Sequence, residues 1–302
     1  MTSIREPDTE KRVTDRRPVD RTPLMTTTLR PTGPIQHGAD GARSRTYDVC
    51  DNGRPVGSVG ISTDPAFGPT AGILQALRIE EPHRRRGRGT IAVLAVEEVL
   101  RGWGCTQVRL VAPAGDEPAR RLAAALGYSE RSRNMLKTLA PAVPALPDGV
   151  TGRPMTEREF AAWASTSTEA YARNWIERGV PEEQARHKSE TDHATKLPEG
   201  LATPGMSFHV LVRADETLGH LWVARHETPG GDEIGYVFDV EVAEGHRGHG
   251  YGRALMHLAE DLTLGAGLTR LGLHVFASNT PALRLYESLG YETTRYNLAK
   301  GL

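Results

Sequence analysis

The sequence predicts an α/β protein in which one domain is repeated in tandem. A glycine-rich pattern, Arg-x-x-Gly-x-Gly, occurs at residues 84–89 and again at residues 247–252. The two copies stay in one register without a gap, from 81–137 in the first to 244–300 in the second. In each copy an apolar, strand-like segment precedes the glycines and a helical pattern follows them. So long a register indicates a duplicated domain, because solenoid repeats have periods of about 20–50 residues.

Composition excludes several classes of protein. The chain has 302 residues, enough for two domains that each bury a core. Its net charge is −1, so we expect neither nucleic acid nor a membrane as a partner. The two cysteines, Cys50 and Cys105, have neither the spacing of metal ligands nor that of a disulfide framework. No signal peptide or membrane-length apolar run is visible, and we expect a cytoplasmic protein without a metal site.

The first domain is predicted to span residues 41–140. Residues 1–40 are rich in Thr, Arg, Asp and Pro and are expected to be mostly a disordered tail, in which Met25 is an alternative start. A first strand is predicted near Leu29 and the next at 47–50, with room only for a loop between them.

The second domain is predicted to span residues 150–302, after a proline-rich linker at 141–149 that favours neither helix nor strand pairing. It begins with a short strand at 150–154. A capping box at Thr156 and Glu159 then opens a helix, and Pro181 suits the first turn of another. A long helical stretch therefore separates two strands that only a loop joins in the first domain.

The strand at 234–242 leads into the second glycine-rich loop, and a helix at 253–262 follows. Such a turn leaves backbone N–H groups free at the positive end of a helix dipole, which suits phosphate. A Walker loop would continue as Gly-Lys-Ser/Thr, and a dinucleotide fingerprint would need glycine where Arg253 stands. Both therefore fail. The basic cluster at 84–88 is either a solvated loop or a contact for an anionic cofactor.

The remaining signature resembles the acetyl-CoA loop of the GNAT superfamily of N-acetyltransferases. Downstream, a strand at 271–276, Asn279, a helix with Tyr286 and a Gly290–Tyr291 turn follow in the family's order, which the first half repeats more weakly. The resemblance implies two domains, each a mixed, mostly antiparallel sheet flanked by helices. It also implies a metal-free acetyltransferase that uses acetyl-CoA and acts on a primary amine, an amino sugar for example, as a monomer or homodimer.

The resemblance also implies which residues contact acetyl-CoA. They belong to the strand end, the glycine-rich loop and the following helix of the second copy, with three loop positions of the first copy. Asn279 has an alternative role as the N-cap of a helix. The expected set is Val240, Val242, Arg247, Gly248, His249, Gly250, Tyr251, Gly252, Arg253, Asn279, Arg84, Gly87 and Gly89.

The duplication lets each residue be compared with its counterpart. Tyr286 corresponds to Ala123, and Asn279 to Asp116. By resemblance, Tyr286 is the acid that gives a proton to the departing thiolate of CoA. Its alternative is an aromatic residue that fills the core.

Two acids precede the second loop. Asp239 and Glu241 alternate with valines and so share one face of the strand, whereas the first copy has Ala76 and Arg78 there. We expect these carboxylates to act through water as a base or to bind a cationic amine. The alternative is a polar strand face.

The helices predicted between the first two strands of the second domain suggest a pocket for the acceptor. In the GNAT family these helices form the acceptor wall, so the second domain is expected to be the catalytic one and the first a degenerate copy. A non-catalytic regulator or scaffold that binds acetyl-CoA remains the alternative. Aromatic residues that could line the pocket, or simply pack onto the sheet, are Trp163, Tyr171 and Trp175.

Overall fold

A computed structural model of the chain describes residues 26–38, 40–64, 70–177, 182–228 and 230–302. Within them lie thirteen strands and six α-helices. The elements of the first half are β1 (Thr27–Pro31), β2 (Gln36–His37), β3 (Arg43–Asp51), β4 (Arg54–Thr63), β5 (Ala71–Ile79), α1 (Arg88–Gly102), β6 (Gln107–Pro113), α2 (Glu117–Ala125) and β7 (Ser129–Thr138). Those of the second half are β8 (Val150–Pro154), α3 (Glu157–Ile176), α4 (Glu182–Lys196), β9 (Met206–Arg213), β10 (Glu216–Glu227), β11 (Glu233–Val242), α5 (Tyr251–Gly265), β12 (Arg270–Phe276), α6 (Thr280–Ser288) and β13 (Glu292–Gly301).

The predicted α/β class and the duplication are confirmed. The structural repeat begins upstream of the segments 81–137 and 244–300, in which the sequence showed it. From β3 and β9 onward, equivalent elements of the two halves keep the register of the glycine-rich loops. The main difference lies upstream, where a connection containing only β2 joins β1 to β3 while α3 and α4 lie between β8 and β9. A capping box at Thr156 and Glu159 opens α3, as predicted.

The two halves share one mixed sheet. Its order is β1-β3-β4-β5-β6-β13-β7-β12-β11-β10-β9-β8, with β2 beside β3. Only β5 with β6 and β11 with β12 run parallel. The last strands are exchanged, because β7 pairs with β12 of the second half and β13 pairs with β6 of the first. Two separate sheets were expected; the structure instead has a single sheet with approximate twofold symmetry about the β7–β13 pair.

Matching buried ion pairs hold the exchanged strands in place. Lys137 of β7 lies 2.6 Å from Glu260 of α5, and Lys300 of β13 lies 2.8 Å from Glu97 of α1. Both glutamates are almost fully buried. Each lysine thus neutralises a carboxylate in the other half of the chain, where an unpaired charge would be very unfavourable.

Each half has a hydrophobic core on the same side of the sheet. One core is formed by α1 with β3 to β6, and it takes Leu298 from β13. The other is formed by α5 with β9 to β12, and it takes Met135 from β7. On the opposite side, α3 covers a third cluster around Trp163, Phe208 and Trp222. Among the described residues, helices therefore cover both sides of the sheet in the second half alone.

The structure corrects the start of the first domain. Residues 27–31 form β1 and pair with β3, so the sheet begins upstream of residue 41. A short edge strand can be held by backbone hydrogen bonds even where its sequence shows little apolar periodicity. Residues 1–25, including Met25, lie outside the described residues, as does Pro181.

Two further properties concern the described residues alone. None of their helices is long and apolar enough to cross a membrane. Among them, no group of three or more His, Cys, Asp or Glu side chains is arranged to hold a metal ion.

Candidate functional site

The connection from β11 to α5 forms the glycine-rich loop of the second half. Gly248 and Gly250 have φ of +80° and +84°, a left-handed backbone that residues with a side chain adopt at a cost. Gly250 is the N-cap of α5 and offers no side chain to the helix end. The first N–H groups of α5, at Tyr251 and Gly252, have no acceptor among the residues that the structure describes. The helix start is therefore open to an anion.

Arginine closes this loop in both halves. Nε of Arg247 donates to the carbonyl oxygen of Val242 at 3.2 Å, and Nε of Arg84 donates to that of Ile79 at 2.8 Å. The second half also has an exposed ion pair, 3.0 Å long, between Arg247 and Glu241. The arginine of the Arg-x-x-Gly-x-Gly pattern thus ties the loop to the end of the preceding strand.

A cleft of about 750 Å³, here called the loop cleft, opens beside this loop. It exists because β11 and β12 pair only at Gly235–Val237 and Leu271–Leu273 and then diverge. The end of β11, the loop, α5 and α6 form its walls. Its lining includes every second-half residue predicted to contact the cofactor except His249: Val240, Val242, Arg247, Gly248, Gly250, Tyr251, Gly252, Arg253 and Asn279.

Tyr286 lies on α6 and also lines the loop cleft. Its side chain is buried, and its ring packs edge-on against Tyr291 at 6.0 Å. Burial and the nearby charge of Asp239 raise the pKa of Tyr286 to about 12. The phenol therefore stays protonated throughout the neutral range.

Asn279 caps α6 as well as lining the cleft. Its Oδ1 accepts from the N–H of Ala282 at 3.2 Å. At the equivalent position of the first half, Asp116 caps α2 by accepting from the N–H of Ala119 at 3.0 Å. The exchange of asparagine for aspartate thus preserves capping, which was the alternative role predicted for Asn279.

A second cavity, of about 640 Å³ and here called the helix cavity, lies between the sheet and the α3–α4 pair. Trp163 and Tyr171 line it, whereas the buried Trp175 is not part of its lining. Asp239 and Glu241 line both the helix cavity and the loop cleft. The two spaces therefore meet where β11 diverges from β12.

A hydrogen-bonded cluster stands at this junction. Oδ2 of Asp239 accepts from Nε1 of Trp163 at 2.8 Å and lies 3.0 Å from Nε2 of His220. Burial acts to raise the pKa of Asp239, but the bonds from His220 and Trp163 outweigh it and leave the pKa below its ordinary value. Asp239 is thus held as a carboxylate.

His220 was missed in the sequence, since a lone histidine on a strand carries no motif. One signal was available. The register of the repeat pairs His220 with Gly57, just as it pairs Asp239 with Ala76. In the structure β10 and β11 form a hairpin in which His220 lies opposite Glu241 and reaches its diagonal neighbour Asp239. If the two halves had been compared residue by residue as far upstream as β4 and β10, the difference between His220 and Gly57 would have been visible beside that between Asp239 and Ala76.

The first half retains the loop, and the cleft described near it, beside Ala76 and Ala123, is smaller than the loop cleft. Arg85 and Gly87 have φ of +58° and +75°, close to the angles of Gly248 and Gly250. The counterpart cleft measures only about 190 Å³, and Arg84, Gly87 and Gly89 do not line it. Arg88 is buried in an ion pair with Asp51.

Comparisons with known proteins agree with this geometry. The model of the "Acetyltransferase (GNAT) family" matches residues 14–128 and again residues 167–291. A mycothiol acetyltransferase from Streptomyces scabiei (strain 87.22) is 30% identical over 241 residues, which cover 78% of this chain and 72% of that protein. A mycothiol acetyltransferase from Thermomonospora curvata is 31% identical over 261 residues, covering 84% of this chain and 80% of that protein.

The fold is also found among solved structures. A GCN5-related N-acetyltransferase from Sphaerobacter thermophilus superposes with a TM-score of 0.54 at 24% identity, covering 85% of this chain and 80% of that chain. This likeness concerns the fold alone.

Proposed function

This chain belongs to the acetyltransferase (GNAT) family, and on that premise we propose that its second half transfers an acetyl group from acetyl-CoA to a primary amine of a small molecule or peptide. The observation that carries the proposal is the meeting of two spaces at Asp239 and Glu241. One space has the features of a phosphate-binding cleft and the other those of an acceptor pocket. A direct transfer needs both substrates to reach one point.

The loop cleft is the proposed site of acetyl-CoA. The free N–H groups at the start of α5 and the positive end of its dipole would bind the pyrophosphate. A Cβ at Gly252 would lie 3.1 Å from Leu285, so glycine keeps the helix start close to α6. Val240 and Val242, on the diverging end of β11, would offer backbone groups to the pantetheine arm. Asn279 would complete the wall.

Tyr286 is the proposed acid. In the transfer, the amine nitrogen attacks the thioester carbon, the carbon–sulfur bond breaks, and the thiolate of CoA leaves. The buried phenol, protonated at neutral pH, can give this sulfur a proton. Asp239 and Glu241 would supply negative charge that attracts a cationic amine to the junction.

The helix cavity is the proposed acceptor site, because α3 and α4 enclose it only in the second half. The match to mycothiol acetyltransferases over about four fifths of this chain supports a small-molecule acceptor. The first half lacks these helices and has Ala123 in place of Tyr286. We therefore assign it no catalytic role, although its loop at Arg84, Gly87 and Gly89 keeps a backbone able to contact phosphate.

Release of the CoA thiol tests the proposal. Purified full-length protein is mixed with acetyl-CoA and a panel of primary amines: glucosamine, spermidine and a tripeptide with a free N-terminus. We expect thiol release that depends on one class of amine and is nearly abolished in Tyr286→Phe. Tight binding of acetyl-CoA without release for any amine would instead favour a non-catalytic acetyl-CoA-binding protein.

A further inference from the structure

His220 occupies the junction of the two spaces with Asp239 beside it. Its side chain is 24% exposed and lines the helix cavity, while Nε2 lies 3.0 Å from the carboxylate. Because a carboxylate accepts hydrogen bonds, Nε2 must carry the proton. In the neutral ring Nδ1 then has a free lone pair, and no described residue donates to it.

The other groups around the helix cavity already have partners. Glu159 is bonded to Arg153, and Asp192 accepts from Tyr171 and Lys188. Lys196 also faces the cavity, and as a cation it cannot accept a proton.

The second histidine of the cavity is engaged at both ring nitrogens. Nδ1 of His193 lies 2.9 Å from the carbonyl oxygen of Ser189, and its Nε2 lies 3.3 Å from Oγ of Ser167. These partners belong to the α3–α4 pair. His193 therefore serves that pair, whereas His220 keeps one ring nitrogen for a ligand.

The two acids at the junction also have partners. Asp239 receives hydrogen bonds from His220 and Trp163, which stabilise its charged form and hold its pKa low. Glu241 is paired with Arg247 on the exposed side of the loop. Both carboxylates therefore already interact with neighbouring side chains, whereas Nδ1 of His220 has no partner among the described residues.

We propose that His220 is the general base of the acetyl transfer and that Asp239 is a positioning residue, which fixes the ring with Nδ1 toward the acceptor amine. This inference rests on the proposed function. In this proposal His220 takes the proton, and the carboxylate of Asp239 orients the imidazole ring.

The protons of the reaction balance without another reactant. An acceptor ammonium gives one proton to Nδ1 of His220, and its nitrogen lone pair forms the bond to the thioester carbon. When the carbon–sulfur bond breaks, the thiolate takes the phenolic proton of Tyr286. The second proton of the nitrogen returns to Tyr286, and His220 releases its proton to solvent. The products are a neutral amide and the free thiol.

The test uses full-length His220→Gln and the amine of the panel that releases thiol fastest. We expect kcat to fall by ~10²-fold or more near neutral pH, the usual contribution of a general base. Affinity for acetyl-CoA, measured by calorimetry, should stay within about twofold, since His220 does not line the loop cleft. His226→Gln is the matched control: this residue lies on the same strand, packs on Tyr236 and lines neither space, so its rate should be unchanged.

Two further measurements separate a base from a structural residue. The deficit of His220→Gln should narrow toward about pH 10, because solvent then deprotonates the amine without help. Free imidazole should restore part of the rate of His220→Ala. A rate within about threefold of wild type, or a deficit constant with pH and without imidazole rescue, would overturn the role of His220. Wild-type protein that acetylates no amine would contradict the proposed function and this role together.

Discussion

The two halves of the chain have nearly the same backbone and very different surroundings for it. In both, a strand ends in an arginine-tied loop with two residues of positive φ, and a helix begins there. The second half opens a cleft of about 750 Å³ beside the loop and a cavity of about 640 Å³ behind it, whereas the cleft described in the first half measures about 190 Å³. The comparison distinguishes the loop and helix that both halves share from the spaces in which we propose that the reaction takes place.

Some equivalent positions have the same structural role in both halves. Arg84 and Arg247 close their loops, and Asp116 and Asn279 cap their helices. Three residues that line the two spaces of the second half have small counterparts in the first: Asp239, His220 and Tyr286 correspond to Ala76, Gly57 and Ala123. The loop and the helices of the repeat therefore persist while the side chains around them differ.

Removing the hydroxyl of Tyr286 tests this contrast most strongly. Because Tyr286→Phe deletes a proton donor and little volume, kcat should fall by ~10²–10⁴-fold while affinity for acetyl-CoA is retained. Tyr128→Phe is the control in the first half, where the ring is also buried. It should leave kcat unchanged. Unaltered turnover in Tyr286→Phe at saturating acceptor would rule this residue out as the required acid.

The ion pairs of the exchanged strands predict that a substitution in one half of the chain destabilises the other half. Lys137→Met removes the cation from the buried Glu260, which then keeps only the hydrogen bond from the hydroxyl of Tyr291, and should lower the free energy of unfolding by about 3–5 kcal/mol. Hydrogen exchange should then accelerate in α5, in the second half. Lys300→Met, at the other end of the chain, should accelerate exchange in α1. If each substitution loosened its own half of the chain instead, the strand exchange would be contradicted.

Bulk in the glycine-rich loops should affect the halves unequally. Gly250→Glu forces a side chain into a left-handed backbone and places a carboxylate where phosphate is expected, so acetyl-CoA should bind ~10²-fold more weakly in calorimetry. Arg84→Ala with Gly87→Glu makes comparable changes in the first half and should leave most of the activity. Complete loss of activity from this double variant, in a folded protein, would assign the first loop an essential role.

The helix caps should show the smallest difference between the halves. Asn279→Ala and Asp116→Ala each remove an acceptor for one N–H group, which should cost about 1 kcal/mol of stability in urea denaturation. Only Asn279→Ala should also weaken acetyl-CoA binding, because Asn279 lines the loop cleft. Equal affinity in the variant and wild type would leave Asn279 with capping alone.

Much of the fold could be predicted because many of its elements are determined by residues that are close together in the sequence. The glycine-rich loop, the strand before it, the helix after it and the capping box of α3 all depend on neighbouring residues. The repeat then showed which elements of the first half are equivalent to which elements of the second half. The family resemblance then supplied the roles expected of Tyr286 and Asn279.

The strand exchange could not be predicted, because β7 and β13 are equivalent. Each carries its lysine at the same register position, Lys137 or Lys300, so either strand suits either glutamate. His220 was not predicted as a site residue for a different reason. Its meaning depends on Asp239, a neighbour on the next strand that the β10–β11 hairpin places at its side. Tertiary register of this kind leaves no trace in a local window.

The exchange of β7 and β13 also bears on how such a gene can evolve. After most duplications, a copy that has lost its activity can be deleted without harm to the other. Here the first half supplies the strand that lies beside β12 of the second half, with Met135 in the core of the second half and Lys137 on its buried glutamate. Shortening the chain to its second half would therefore require a replacement for that strand.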